Sequence, residues 1–184
     1  MPLDSSLLLP SCDAGRCFCG GCLTPVSLSL LNGSCGCAAA GHGTYLLTQA
    51  DDTLWTGGTS FVLPPTNAGC GGNACAVRNH SIPALGISWV DYWYLESVSV
   101  SVSLNVAEQT YTAVLGLFHA YFRSQDGNCN GPNTVSLIGW GTTFPCGDGG
   151  SADLTHNKGG NGSQDVFTPY DGPSCDATLV LQVQ

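Results

Sequence analysis

The sequence predicts an all-β fold, an antiparallel β-sandwich or jelly roll with a cysteine-rich amino-terminal arm. Three observations carry that expectation. Residues 97–106 alternate strictly, with Val98, Val100, Val102, Leu104 and Val106 on one side and serines with Asn105 on the other, the period of a half-buried strand. Glycine, asparagine and proline turn signals recur at short intervals along the chain. No segment shows a convincing 3.6-residue period, so the crossover helices of a parallel α/β sheet are not expected. At 184 residues the chain suits one well-buried core and is short for two ordinary domains. It divides into an arm, residues 1–22, and a β-sandwich domain, residues 23–184.

From the amino terminus, residues 1–10 hold a short apolar run, Leu7 to Leu9, with no basic region before it, and a classical secretory signal is not expected. No stretch approaches the ~18 apolar residues of a membrane span, so membrane insertion is not expected. Residues 12–37 concentrate six of the eleven cysteines, Cys12, Cys17, Cys19, Cys22, Cys35 and Cys37, in a glycine-rich run that must be fixed by sulfur, metal or a neighbour. Val26, Leu28 and Leu30 alternate with Ser27 and Ser29 as a first strand. Residues 44–48 read as a second strand, and residues 54–56 and 60–63 as a hairpin closed around Gly57 and Gly58. Residues 66–76 read as a loop that Cys70 and Cys75 are close enough to staple. Residues 85–94 crowd aromatic and aliphatic side chains together, as in a strand covered on both faces or lining an interface. Residues 97–106 are the clearest strand and 111–122 its antiparallel partner. Residues 135–140 and 141–144 continue the pattern, 147–162 form a Gly/Asp/Asn-rich loop, and 176–183 close the chain as a last strand.

Charge narrows the partners. Charged residues are only 9% of the chain, and the net charge of −9 sets thirteen acids against Arg16, Arg78, Arg123 and Lys158. With no basic cluster, neither nucleic acid nor an anionic membrane surface is an expected partner. Low charge and 43% hydrophobic content mark an ordered chain with a largely uncharged polar surface. Eleven cysteines are a disulfide-like density, which points to an oxidising or extracellular life. A protein made in the cytosol and released by lysis or within a particle, as virion proteins are, reconciles that density with the missing signal.

Several constellations could carry chemistry. Cys12, Cys17, Cys19 and Cys22 have the density of a metal site, and Cys19-x2-Cys22 has the spacing of half a zinc knuckle. Disulfides are the competing use, for example Cys12 to Cys22 with Cys17 or Cys19 reaching Cys35 or Cys37; the odd total leaves one thiol free or paired between chains. Asp126, Asn128 and Asn130, followed by Gly131, fit the first half of a calcium loop, but Leu137 stands where the bidentate Glu belongs, and Asp and Asn also make ordinary turns. No resident cofactor is therefore expected, with structural zinc or calcium as the alternatives. Trp89, Tyr92, Trp93 and Tyr94 invite sugar stacking or, more simply, core and interface packing. His42 and His80 read as loop residues and His119 as a core residue; with no GxSxG or HExxH pattern, an enzyme is not expected.

Cys22-Leu-Thr-Pro-Val-Ser-Leu-Ser-Leu, Cys35-Gly-Cys37, Gly43-Thr-Tyr-Leu-Leu-Thr, Trp55-Thr-Gly and Cys175-Asp-Ala-Thr-Leu-Val-Leu together resemble a cysteine-punctuated β-domain of uncharacterised bacteriophage and planctomycete-type surface proteins. The resemblance implies a virion or surface context and no catalytic residues. The expected function is a structural or adhesive component of an extracellular particle, a capsid-decoration, tail or fibre protein that binds other copies of itself or other virion proteins. A glycan-binding module contacting a host surface, with calcium at Asp126, is the alternative.

Overall fold

The structure, a computed structural model, describes residues 22–34, 36–65, 70–133, 135–157 and 174–184, so Cys12, Cys17, Cys19 and Cys35 lie outside the described residues. Antiparallel strands form two sheets packed as a sandwich. The smaller sheet comprises β1 (Pro25–Leu31), β2 (Gly43–Leu46), β10 (Gly150–Asn157) and β11 (Ser174–Val183), in the order β10-β11-β1-β2. The larger holds β3 (Thr48–Asp51), β4 (Leu54–Ser60), β5 (Ala76–Ile82), β6 (Ile87–Asn105), β7 (Thr110–Gln125), β8 (Asn128–Asn130) and β9 (Val135–Pro145).

Two long strands are the spine of the larger sheet. β6 has 19 residues and β7 has 16, each long enough to serve two neighbours in succession along one edge. β4 pairs with residues 97–103 of β6 and β5 with residues 87–93. On the far side, β9 pairs with residues 110–120 of β7 and β8 with residues 123–125. Such length raises a problem of parity. Along β7 the inward side chains are all odd-numbered, from Tyr111 through Leu115 and Leu117 to Tyr121, whereas the inward valines of β6 are even-numbered. The register shifts between Leu95 and Ser97, inserting Glu96 as an extra residue. Trp93 and Leu95 thereby face the same core as Val98, Val100, Val102 and Leu104, as a bulge allows. The alternation ends there, since Val106 lies in the following turn and is half exposed.

The core fills the space between the sheets. Leu28, Leu30, Ala177, Leu179 and Leu181 of the smaller sheet meet Val98, Val100, Val102, Leu115, Leu117, Ile138 and Trp140 of the larger, all nearly or fully buried. Burying a side chain of this size contributes about 1.5–3 kcal/mol. A second, smaller cluster covers the outer face of the large sheet, where Tyr94, Phe122 and Cys129 pack beneath Leu63, Cys70 and Ala74. Residues 92–95 are thus covered on both faces, one of the two arrangements their aromatic content suggested.

Among the described residues, three disulfides hold this arrangement. Cys22 bonds Cys146, Cys37 bonds Cys75, and Cys70 bonds Cys129. Cys22 therefore does not pair with Cys12, nor do Cys70 and Cys75 staple their loop to each other. Each ties that loop to a different part of the fold, Cys75 to the 3-10 turn Gly36–Gly41 and Cys70 to β8. Disulfides of this kind belong to an oxidising environment. Among the described residues no helix is long and apolar enough to cross a membrane.

Other expectations are corrected. Gly57 and Gly58 do not close a hairpin; they lie inside β4, where the backbones of Leu46 and Val98 come close. A Cβ on Gly57 would sit 2.2 Å from the Leu46 carbonyl oxygen, and one on Gly58, at φ +140°, would sit 2.1 Å from that of Val98. Residues 135–144 form part of one strand, β9, and residues 147–162 contain β10 in place of a continuous loop. His80 is on β5, not in a loop. His119 is fully buried on β7, as expected of a core residue.

Candidate functional site

β5 and the first part of β6 form a hairpin that runs past the rest of the sandwich. Their register proceeds from Ala76↔Trp93 through His80↔Trp89 to Ile82↔Ile87, while β7 joins β6 only from Val90↔Ser124 onward. The last segment is therefore a two-stranded ribbon, closed by the 3-10 turn Pro83–Leu85 with Gly86 in the left-handed conformation at φ +65°. Every residue from 81 to 88 is exposed. Ile82, Leu85 and Ile87 place aliphatic surface there, Leu85 at 66% exposure. Scattered exposed aliphatics are ordinary, whereas these three are gathered on one projecting turn.

The root of the hairpin is braced by charge. Asp91 on β6 is only 1% exposed, and Arg123, its register partner on β7, grips it through two bonds, Nε to Oδ1 at 2.9 Å and a terminal nitrogen to Oδ2 at 3.1 Å. The hydrogen bond to Asp91 raises the proton affinity of the guanidinium, and burial offsets part of that effect. His80 Nε2 lies 3.1 Å from Asp91 Oδ2 but off the line of a good hydrogen bond. Its ring stacks on Trp89 at 4.9 Å between centroids, and the Arg123 guanidinium also sits 4.9 Å from the Trp89 ring centre. β5, β6 and β7 thus each contribute to one layer of contacts. A bidentate pair across a register position and a stacked ring beside it fix the angle at which the hairpin leaves the sheet.

An open groove of about 470 Å³ runs along this flank, lined by Asn79, His80, Ser88, Trp89, Ser124 and Asp126 among others. Trp89 meets it already contacted from β5 by His80 and from β7 by Arg123. Trp93 and Tyr94 are 1% and 5% exposed and belong to the core, and Tyr92 packs against the outer cluster, which leaves Trp93 and Tyr94 without an open face for a sugar. Of the four aromatics singled out in the sequence, Trp93 and Tyr94 serve packing and Trp89 serves the brace.

Asp126 and Gly127 have φ of +50° and +78° and make the two-residue turn between Gln125 and its partner Asn128, the conformation that Asp-Gly favours in tight hairpins. Asn128 and Asn130 follow on β8, where the Asn130 carbonyl accepts a hydrogen bond from Asn133 Nδ2 at 3.0 Å. The turn chemistry accounts for this motif. Of the cysteines that were candidates for disulfides or metal, Cys22, Cys37, Cys70 and Cys75 are all consumed in disulfides. Among the described residues no group of three or more His, Cys, Asp or Glu side chains could hold a metal.

The feature hidden from sequence reasoning is Asp91 with its partners. Arg78, Asp91 and Arg123 lie in one register row across β5, β6 and β7, and the two arginines are the sole Lys or Arg side chains among the described residues. That convergence in so weakly charged a chain was the available signal. Comparison with protein-family models, curated proteins and solved structures gives no match.

Proposed function

We propose that the chain is a structural subunit of an extracellular particle, a bacteriophage virion component of the capsid-decoration, tail or fibre kind, which binds neighbouring subunits through the β5–β6 hairpin. One observation carries this reading: an uncharged turn bearing Ile82, Leu85 and Ile87 is held out beyond the sandwich on a root locked by Asp91 and Arg123. A braced hairpin loses little conformational entropy on docking, so its modest apolar area can be spent on affinity. The disulfides and the sparsely charged surface suit a protein that works outside the cell. The resemblance of the first strands and closing segment to phage and surface β-domains supports the virion setting.

Immunogold labelling of particulate material pelleted from the medium of producing cells tests the proposal. Regularly spaced label on a particle is expected. Protein found solely in the cleared supernatant, as single 19.0 kDa chains at high concentration, would end it.

A further inference from the structure

We infer that the partner of the hairpin is a second copy of this chain, whose groove at the root of its own hairpin receives the apolar tip head to tail. The inference rests on the reading of the hairpin given above. The groove, about 380 Å³, is lined by Tyr94, Leu95, Phe61, Val62, Leu63 and Pro64, with Ala40, Gly72, Asn73 and Cys75 completing it and Asn73 its one polar side chain besides the Tyr94 hydroxyl. Tyr94 and Leu95 are nearly buried, whereas Phe61 is 41% and Val62 101% exposed, so the floor is firm and the rim is bare. That volume falls within the roughly 300–1,000 Å³ of sites that enclose small ligands, and it has room for Leu85 with a flanking side chain.

The tip cannot fill the groove of its own chain. Six register steps separate the pair Ala76↔Trp93 from Ile82↔Ile87, which at about 3.4 Å per residue carries the tip ~20 Å from the root. Both surfaces remain uncovered by any described residue of the same molecule.

Charge argues for a second copy. Chains of net charge −9 repel one another as wholes, and copies can approach with least penalty where neither surface is charged. Residues 79–90 contain no Asp, Glu, Lys or Arg, and neither does the lining of the groove. An acidic or basic partner would find no complementary group on either surface. Another copy supplies both halves of an apolar pair. Because tip and groove are different patches, the contact is heterologous, and its repetition produces a ring or a filament.

The test uses the full chain with two exposed-site variants, Leu85→Asp in the tip and Val62→Asp in the groove, each checked for native circular dichroism. Light scattering should show wild type as multiples of 19.0 kDa and each variant alone as a monomer. Mixed in equal amounts, the variants should form pairs and stop there, because the mixture retains one working tip and one working groove per pair. Oligomers that survive Val62→Asp, or a mixture that stays monomeric, overturn the inference in favour of tip-to-tip contact or no self-contact. Leu85→Ser and Val62→Ser repeat the comparison if either aspartate variant misfolds. Wild type that is monomeric alone yet present on particles would overturn head-to-tail docking while leaving the structural role intact. Absence from any particle would remove that role as well.

Discussion

Replacing Cys22 and Cys146 together by alanine should destabilise the protein by about 4 kcal/mol, a value that follows from how the disulfides among the described residues connect. The bridge spans 124 residues of sequence, for which loop-closure entropy alone gives roughly 5 kcal/mol. The other two bridges shorten that loop in the unfolded chain. A path runs 15 residues from Cys22 to Cys37, crosses to Cys75, steps back 5 residues to Cys70, crosses to Cys129 and continues 17 residues to Cys146. The effective loop is therefore about 37 residues, and the expected contribution falls to about 4 kcal/mol. Native geometry at the site should persist, because the Leu23 amide donates to the Cys146 carbonyl at 3.0 Å and the Cys146 amide to Gln109 at 3.1 Å independently of sulfur. Equilibrium unfolding in guanidinium is the assay. The variant should lose about 4 kcal/mol, and its denaturant slope should rise because the freed unfolded chain exposes more surface. With the other two bridges already replaced by alanine, the same change should cost about 1 kcal/mol more. A loss below ~1 kcal/mol, or no dependence on the other bridges, would refute the chain-entropy reasoning.

Three further outcomes follow from the packing. Asp91→Ala removes a buried carboxylate from Arg123 and His80 and should cost about 2–3 kcal/mol, below the 3–5 typical of a fully buried pair because Arg123 is 32% exposed; hydrogen exchange in β5 should accelerate, and unchanged exchange there would contradict the brace. Gly58→Ala should cost at least ~2 kcal/mol, since φ of +140° and the Val98 carbonyl both oppose a side chain, whereas Gly72→Ala, which meets nothing within 4 Å, should stay within ~0.5 kcal/mol, as thermal unfolding of the pair would show. Burial pushes the Tyr45 phenol above its usual value, so the folded state holds that proton more tightly than the unfolded state. Its contribution is full below pH ~10 and declines as pH rises through the folded value. Stability measured from pH 9 to 11.5 should therefore fall more steeply in wild type than in Tyr45→Phe, and parallel profiles would count against the assignment.

Much of the sandwich was legible because half-buried strands declare themselves by period. Val98 to Leu104 and Leu28 with Leu30 occupy the faces their alternation assigned. Strands with few inward apolar residues were silent. Among its described side chains β10 turns Ala152 and Leu154 toward the interior, and β5 offers Arg78 and His80 on its inward row, in register with Asp91 and Trp89 of β6. Gly57 and Gly58 misled for a related reason. A glycine pair looks the same whether it turns a chain or lets another backbone approach, and the approaching residues, Leu46 and Val98, are not its near neighbours in sequence. Disulfide pairing was equally out of reach, since Cys22 and Cys146 meet only once both sheets are in place. The site was half visible. The aromatic crowding from Trp89 to Tyr94 pointed to the right strand, but which rings are buried depends on the bulge at Glu96 and on Leu63, Cys70 and Ala74, which cover one face.

Whether the β5–β6 hairpin is the contact between subunits is decided by hydrogen–deuterium exchange on assembled against dilute protein. Docking predicts that the amides of residues 81–88 other than Pro83, residues that are all exposed in the single chain, slow at least tenfold in the assembly, about 1.4 kcal/mol of added protection, with matching protection at residues 61–63. Equal exchange of residues 81–88 in the two states, with protection appearing elsewhere on the sandwich, would contradict it.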